Sequence, residues 1–149
     1  MNAPTDIATA LIADDEEGPR AQLRAALHQA WPELRVVAEC EHGVDAWDAF
    51  LEHEPAVCFL DIRMPGLSGI EVAQRIGPRA QVVFVSAFGD HALEAFDAGA
   101  VDYVLKPVDA ARLGQAVARV RQRLAAWVPT RRPCSTSSPA RCAGPRRRR

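Results

Sequence analysis

Short apolar runs alternate along this chain with longer stretches in which apolar residues return every three or four positions, from residue 7 to about residue 125. The runs at 7–13, 34–40, 56–60, 82–85 and 101–105 read as strands, being short, apolar and bounded by turn or acidic residues. The stretches between them read as helices. Gly18-Pro19 opens the first, Leu23, Ala26, Leu27 and Ala30 line it, and Trp31-Pro32 ends it. Val44, Trp47, Phe50 and Leu51 are the predicted buried face of the second, and the third, about 68–76, stops at Gly77-Pro78. A fourth at about 90–98 ends at Gly99. Asp109 is placed to cap the last, whose stripe is Leu113, Val117, Val120 and Leu124. Strict alternation of this kind implies an α/β fold in which a five-stranded parallel sheet is covered on both faces by right-handed crossovers.

With 149 residues and 48% hydrophobic content there is room for one full core. Residues 7–126 are assigned to that domain, 1–6 to an N-terminal extension and 127–149 to a disordered tail rich in Pro, Ser and Arg. The net charge of -1 conceals an asymmetry, because residues 129–149 hold seven Arg and no acid, leaving 11 basic and 19 acidic residues, or -8, before them. An acidic domain is a poor binder of phosphate backbones. The four-residue Arg run that ends the chain is a thin signal for nucleic acid. Cysteines 40, 58, 134 and 142 form no C-x-x-C pair, and Cys58 lies in an apolar run, which suits a structural thiol in a reducing compartment. The start of the chain lacks a signal-peptide pattern, and no apolar run approaches a membrane span, so a cytoplasmic location with no membrane partner is the expectation.

Chemistry gathers where the strands end. Asp14 and Asp15 follow the first strand, Asp61 the third, Ser86 the fourth and Lys106 the fifth, so all lie at one edge of a parallel sheet, where ligands bind in open α/β folds. Carboxylates about 5 Å apart repel by roughly 3 kcal/mol at an effective dielectric near 20, which calls for a counterion. Mg²⁺ suits an open site of oxygen donors that also takes a phosphate. Asp61 is then the nucleophile toward phosphorus, with Lys106 as a point charge and Ser86 as a hydrogen-bond donor to the phosphoryl oxygens. No G-x-G-x-x-G or G-x-x-x-x-G-K follows the first strand, which removes dinucleotide and P-loop readings.

The segments Ile12-Ala13-Asp14-Asp15-Glu16, Leu60-Asp61-Ile62-Arg63-Met64-Pro65-Gly66, Val85-Ser86-Ala87 and Tyr103-Val104-Leu105-Lys106-Pro107 resemble the receiver domain of two-component response regulators. The resemblance implies a flavodoxin-like (βα)5 three-layer sandwich with strand order 2-1-3-4-5. It implies that Asp61 accepts a phosphoryl group from a sensor histidine kinase, and that Asp14, Asp15, Asp61 and the backbone carbonyl of Arg63 hold Mg²⁺. It implies that Ser86 and Lys106 contact the phosphoryl group, that Tyr103 is a switch aromatic and that the bond before Pro107 is cis. Such a protein is a regulatory phosphoacceptor rather than an enzyme. Its output surface would be the face of the fourth helix, fifth strand and fifth helix, used for phosphorylation-dependent homodimerisation or transcriptional control.

The stretch from Ala92 to Val108 is similar to receivers of the LytTR (LytR/AlgR) class, which act through a C-terminal DNA-binding domain. The residues after 126 do not read as such a domain, so the expectation is either a truncated or separately expressed receiver or an output through a partner protein, and DNA recognition is not expected of the receiver residues. Two other readings compete. A Mg²⁺-dependent phosphohydrolase with an Asp nucleophile would want an acid two residues past Asp61, where Arg63 stands; a DNA-binding regulator would act through the basic tail. His28, His42, His53 and His91 have no spacing that suggests a site, and Trp31, Trp47 and Trp127 read as packing or rim residues.

Overall fold

A computed structural model describes residues 8–87 and 92–131. Five strands, β1 (Thr9–Ala13), β2 (Arg35–Cys40), β3 (Val57–Leu60), β4 (Gln81–Ser86) and β5 (Asp102–Leu105), form one sheet in the order β2-β1-β3-β4-β5. All neighbours are parallel. Between and after them run α1 (Glu17–Ala30), α2 (Gly43–His53), α3 (Gly69–Ile76), α4 (Ala92–Asp97) and α5 (Ala110–Arg131). This is the flavodoxin-like order that the resemblance implied.

Strand side chains alternate between two cores, as the pleat dictates. Leu11, Cys58, Leu60, Val82, Phe84 and Tyr103 point to the core beneath α2, α3 and α4, where Ala46, Phe50, Val72, Ile76 and Ala95 meet them. Ala10, Ile12, Val57, Phe59, Val83, Val85 and Val104 point to the other, closed by Leu23 and Leu27 of α1 and by Leu113, Val117 and Val120 of α5. Because β1, β3 and β4 are buried on both faces, their sequences read as continuous apolar runs.

Local signals explain the helix ends. Ser68 caps α3 in a capping box, its hydroxyl accepting from the Glu71 N–H at 3.2 Å while the Glu71 carboxylate accepts from the Ser68 N–H at 2.9 Å. Asp109 caps α5 through a 3.2 Å contact from the Ala111 N–H.

Two expectations need correction. Val44 and Leu51 are not on the buried face of α2; they are 49% and 48% exposed, whereas Phe50 is buried and Trp47 packs half-buried on the core as expected, with Gly43 and Ala46 also facing inward. The cause is close approach at the start of the helix. The Gly43 N–H donates to Pro65 O at 3.1 Å, and a Cβ on Gly43 would strike the Leu67 backbone and side chain, so the start of α2 is held with glycine inward and Val44 is turned outward. Second, α5 continues to Arg131, past residue 126 where the sequence pattern ended the domain. Extension residues 1–6, Ile7, the predicted start of α4 at residue 90, His91, and tail residues 132–149 with Cys134 and Cys142 lie outside the described residues.

Candidate functional site

Parallel strands carry their C-terminal residues to one edge, and here that edge is polar. Asp14 follows β1 and is 2% exposed; Asp61 follows β3 and is 7% exposed; Ser86 closes β4 and is fully buried. Lys106, just past β5, reaches back between the two acids. Its Nζ lies 2.7 Å from Asp14 Oδ2 and 3.0 Å from Asp61 Oδ2. The Lys106–Pro107 peptide bond is cis, as the resemblance implied.

The backbone around each acid is held as firmly. The Asp61 N–H donates to Ala13 O at 2.9 Å and the Asp14 N–H to Cys40 O at 2.9 Å, which ties both acids to the sheet. The segment after Asp61 turns back on itself. Gly69 N–H donates to Ile62 O at 2.9 Å, and a Cβ on Gly69 would collide with the Asp61 carbonyl, so only glycine allows α3 to start this close to the acid. Gly66, at φ 80°, supplies the left-handed turn within that segment.

Burial raises the carboxyl pKa of Asp61 above the ordinary range; the hydrogen bond and charge of Lys106 pull the other way without cancelling it, and Asp14 adds to the rise. For Lys106, burial favours the neutral amine, but hydrogen bonds and charge from Asp14 and Asp61 prevail and raise its pKa. Both directions describe one tight acid–base–acid cluster, with the ammonium held charged between two buried acids.

Beside the cluster, oxygens of Asp14, Asp15 and Glu16 lie within 4.8 Å of one another, the arrangement among the described residues that could hold a metal ion. Asp15 and Glu16 are exposed and offer hard oxygen donors. Asp61 joins this group through Lys106 rather than by direct convergence. Arg63 is exposed, and its N–H lies 3.4 Å from Asp61 Oδ1. Asp15 also lines a cleft of about 680 Å³, with Arg63, Met64, Glu71 and Glu94 among its other walls.

Residues 10–118 match the family model for the response regulator receiver domain. The chain belongs to that family. The receiver is 43% identical over 119 residues to an uncharacterised response regulatory protein of Vibrio cholerae, covering 78% of this chain and 46% of that one. It is also 43% identical over 114 residues to the transcriptional regulatory protein BtsR of Escherichia coli K12, covering 75% and 47%. The chain therefore spans about half the length of these curated relatives. Among solved structures it resembles the receiver domain of the response regulator AraT from Geobacillus stearothermophilus, at a TM-score of 0.74 and 32% identity, covering 80% of this chain and 97% of that one. A CheX–CheY–BeF3–Mg complex from Borrelia burgdorferi matches at a TM-score of 0.72 and 26% identity, covering 81% and 95%.

Within the receiver, Asp14, Asp61, Ser86 and Lys106 occupy one edge as the strand ends foretold, and Asp15 stands beside them. Tyr103 is buried among the core residues on the α2–α4 side of the sheet. Glu16 and Arg20 carry no strand-end signal: Glu16 is one of the four successive acids from Asp14 to Glu17, and the reach of Arg20 to the Asp14 carbonyl, at 2.8 Å, depends on helix phase. His28, His42 and His53 are exposed, away from any cluster, and Trp31 is a packing residue with the Arg121 guanidinium 5.4 Å from its ring centroid. Among the described residues no helix is long and apolar enough to cross a membrane.

Proposed function

We propose that this receiver is a phosphoacceptor switch in the cytoplasm, phosphorylated on Asp61 by a sensor histidine kinase. The observation that carries the reading is the buried Asp61 carboxyl joined to Asp14 through Lys106 Nζ at the C-terminal edge of the sheet. An Asp61 oxygen forms the new bond to phosphorus as the bond from phosphorus to the donor's imidazole nitrogen breaks, its electron pair leaving with the imidazole. Lys106 then moves its charge from the carboxylate to a phosphoryl oxygen, and the Ser86 hydroxyl donates to another. Burial keeps competing water away and makes Asp61 gain more from the charges around it.

The oxygen donors at Asp14, Asp15 and Glu16 fit a hard divalent cation, and Mg²⁺ is the proposed one, with Asp61 and the Arg63 carbonyl proposed as further ligands. When bound, Mg²⁺ neutralises charge on the transferring phosphoryl group. The Borrelia CheX–CheY complex contains both BeF3 and Mg, which supports this reading.

The output proposed is the α4–β5–α5 face, through homodimerisation or a partner. Phe96 and Leu105 on that face are 51% and 50% exposed, and Tyr103 of β5 lies buried in the same core as Ala95 of α4. A link to transcription, and to the LytTR class in particular, is supported by the Ala92–Val108 stretch and by the likeness to a transcriptional regulatory protein. The chain acts as a stoichiometric acceptor, not a turnover enzyme. Intact mass after incubation with acetyl phosphate and Mg²⁺ tests this: one phosphoryl group per chain is expected, and none on Asp61→Asn. Many phosphates released per chain from simple phosphoesters would instead favour the phosphohydrolase.

A further inference from the structure

Arg20 does no work in the chemistry above, yet it is built into the turn that presents the acids. It sits in the first turns of α1 with its side chain only 12% exposed. Its Nη1 donates to the backbone carbonyl of Asp14 at 2.8 Å. The same guanidinium lies 3.6 Å from Glu39 Oε1 through Nε and 3.5 Å from Glu41 Oε2 through Nη2. Glu39 is itself fixed, since Arg24 Nη1 donates to both its oxygens at 2.8 and 2.9 Å. Covering a guanidinium is costly unless its donors are used. Here the fork is spent on one backbone carbonyl and two acids of the β2 edge.

That carbonyl belongs to the residue whose carboxylate faces Lys106. The Asp14 N–H is tied to Cys40 O at 2.9 Å and its carboxylate to Lys106, while past Asp14 the Glu16 N–H donates to Asp14 Oδ1 at 2.9 Å and the Arg20 N–H donates to Glu16 O at 3.1 Å. Arg20 thus grips the acidic turn twice, by its side chain at Asp14 and by its backbone at Glu16.

We propose that Arg20 is a positioning residue for divalent-cation binding: anchored on Glu39 and Glu41, it holds the Asp14 carbonyl and so sets the turn that brings the Asp14, Asp15 and Glu16 carboxylates together. This rests on the cation site proposed above. Groups that orient metal ligands without touching the metal typically contribute 10- to 100-fold in affinity. Electrostatics predicts the reverse sign. Deleting a positive charge beside a cation site should tighten binding, whereas deleting a positioning group should weaken it.

The sign decides between them. Divalent-cation affinity of the full 149-residue chain is measured by electron paramagnetic resonance of free Mn²⁺, with Mg²⁺ as competitor, for wild type, Arg20→Gln and Arg20→Lys. Lys keeps the charge but cannot fork between a carbonyl and two acids. The expected order is wild type tightest, Arg20→Lys about threefold weaker and Arg20→Gln roughly tenfold weaker. At saturating Mg²⁺ the rate of phosphorylation by acetyl phosphate should return to within about twofold of wild type, since only positioning has been lost. Affinity unchanged in Arg20→Lys, or unchanged or tightened in Arg20→Gln, overturns the proposal and leaves the Asp61 reading standing. A wild-type chain that binds no divalent cation overturns both.

Discussion

Lys106→Met keeps the bulk of the side chain and deletes its charge. With Nζ at 2.7 Å from Asp14 Oδ2 and 3.0 Å from Asp61 Oδ2, the two oxygens are at most about 5.7 Å apart. At an effective dielectric near 20 their repulsion at that distance is about 3 kcal/mol, and the variant leaves it uncompensated. Without divalent cations, urea unfolding near pH 7.5 should show a loss of about 3 kcal/mol. Acid should shrink that loss. Burial already raises the Asp61 pKa, and removing Lys106 takes away the hydrogen bond and charge that hold it down, so it rises further. A native carboxyl pKa above the unfolded value means that the native state binds more protons, so stability falls as pH rises through the native pKa and is regained on acidification toward about pH 4. The deficit near pH 5 should therefore be clearly smaller than near pH 7.5. A deficit below about 0.5 kcal/mol, the range of an ordinary surface substitution, would refute the reasoning. An equal deficit at both pH values would do so too.

Asp102 titrates in the opposite sense. Burial would raise its pKa, but the Arg112 pair at 2.8 and 2.9 Å, the Tyr103 N–H and Arg119 outweigh it and lower the pKa. Its contribution to stability is present above the unfolded value of about 3.9 and lost as pH falls through the lower native one. Asp102→Asn should cost about 2 kcal/mol near neutrality and flatten acid unfolding in that window; an unchanged acid profile by circular dichroism would contradict it. Gly69→Ala must displace the Asp61 carbonyl or the start of α3, costing about 1–3 kcal/mol and slowing acetyl phosphate labelling sharply. Wild-type stability and labelling rate in that variant would show that the close approach is not needed. Ser86→Ala should still be labelled on Asp61 but lose phosphorylation-dependent dimerisation, read by light scattering; unchanged dimerisation would remove Ser86 from the coupling.

The sheet and the site edge were legible because parallel strands covered on both faces must be apolar throughout, so the first polar residue after each run marks its end. Asp14, Asp61, Ser86 and Lys106 stand at such ends. The phase of α2 was not legible. Val44 and Leu51 extend the apolar stripe of Trp47 and Phe50, yet the tight contact of Gly43 with Pro65 and Leu67 fixes a helix phase that leaves those two exposed. Hydrophobic pattern carries no record of how closely two backbones approach. Arg20 and Asp102 were missed for a related reason: a charged residue on an amphipathic helix or at a strand start looks solvated until its partners are known, and those lie on β2 and α5.

The central claim is that the Asp61 side chain carries the phosphoryl group. Borohydride reduces an acyl phosphate to the alcohol, converting a phosphorylated Asp to homoserine. After treatment of the chain with acetyl phosphate and Mg²⁺, then borohydride, peptide mass mapping should find homoserine at position 61 and no other. Homoserine at Asp14 or Asp15, or unmodified Asp61 in a chain that has gained phosphoryl mass, would contradict the account.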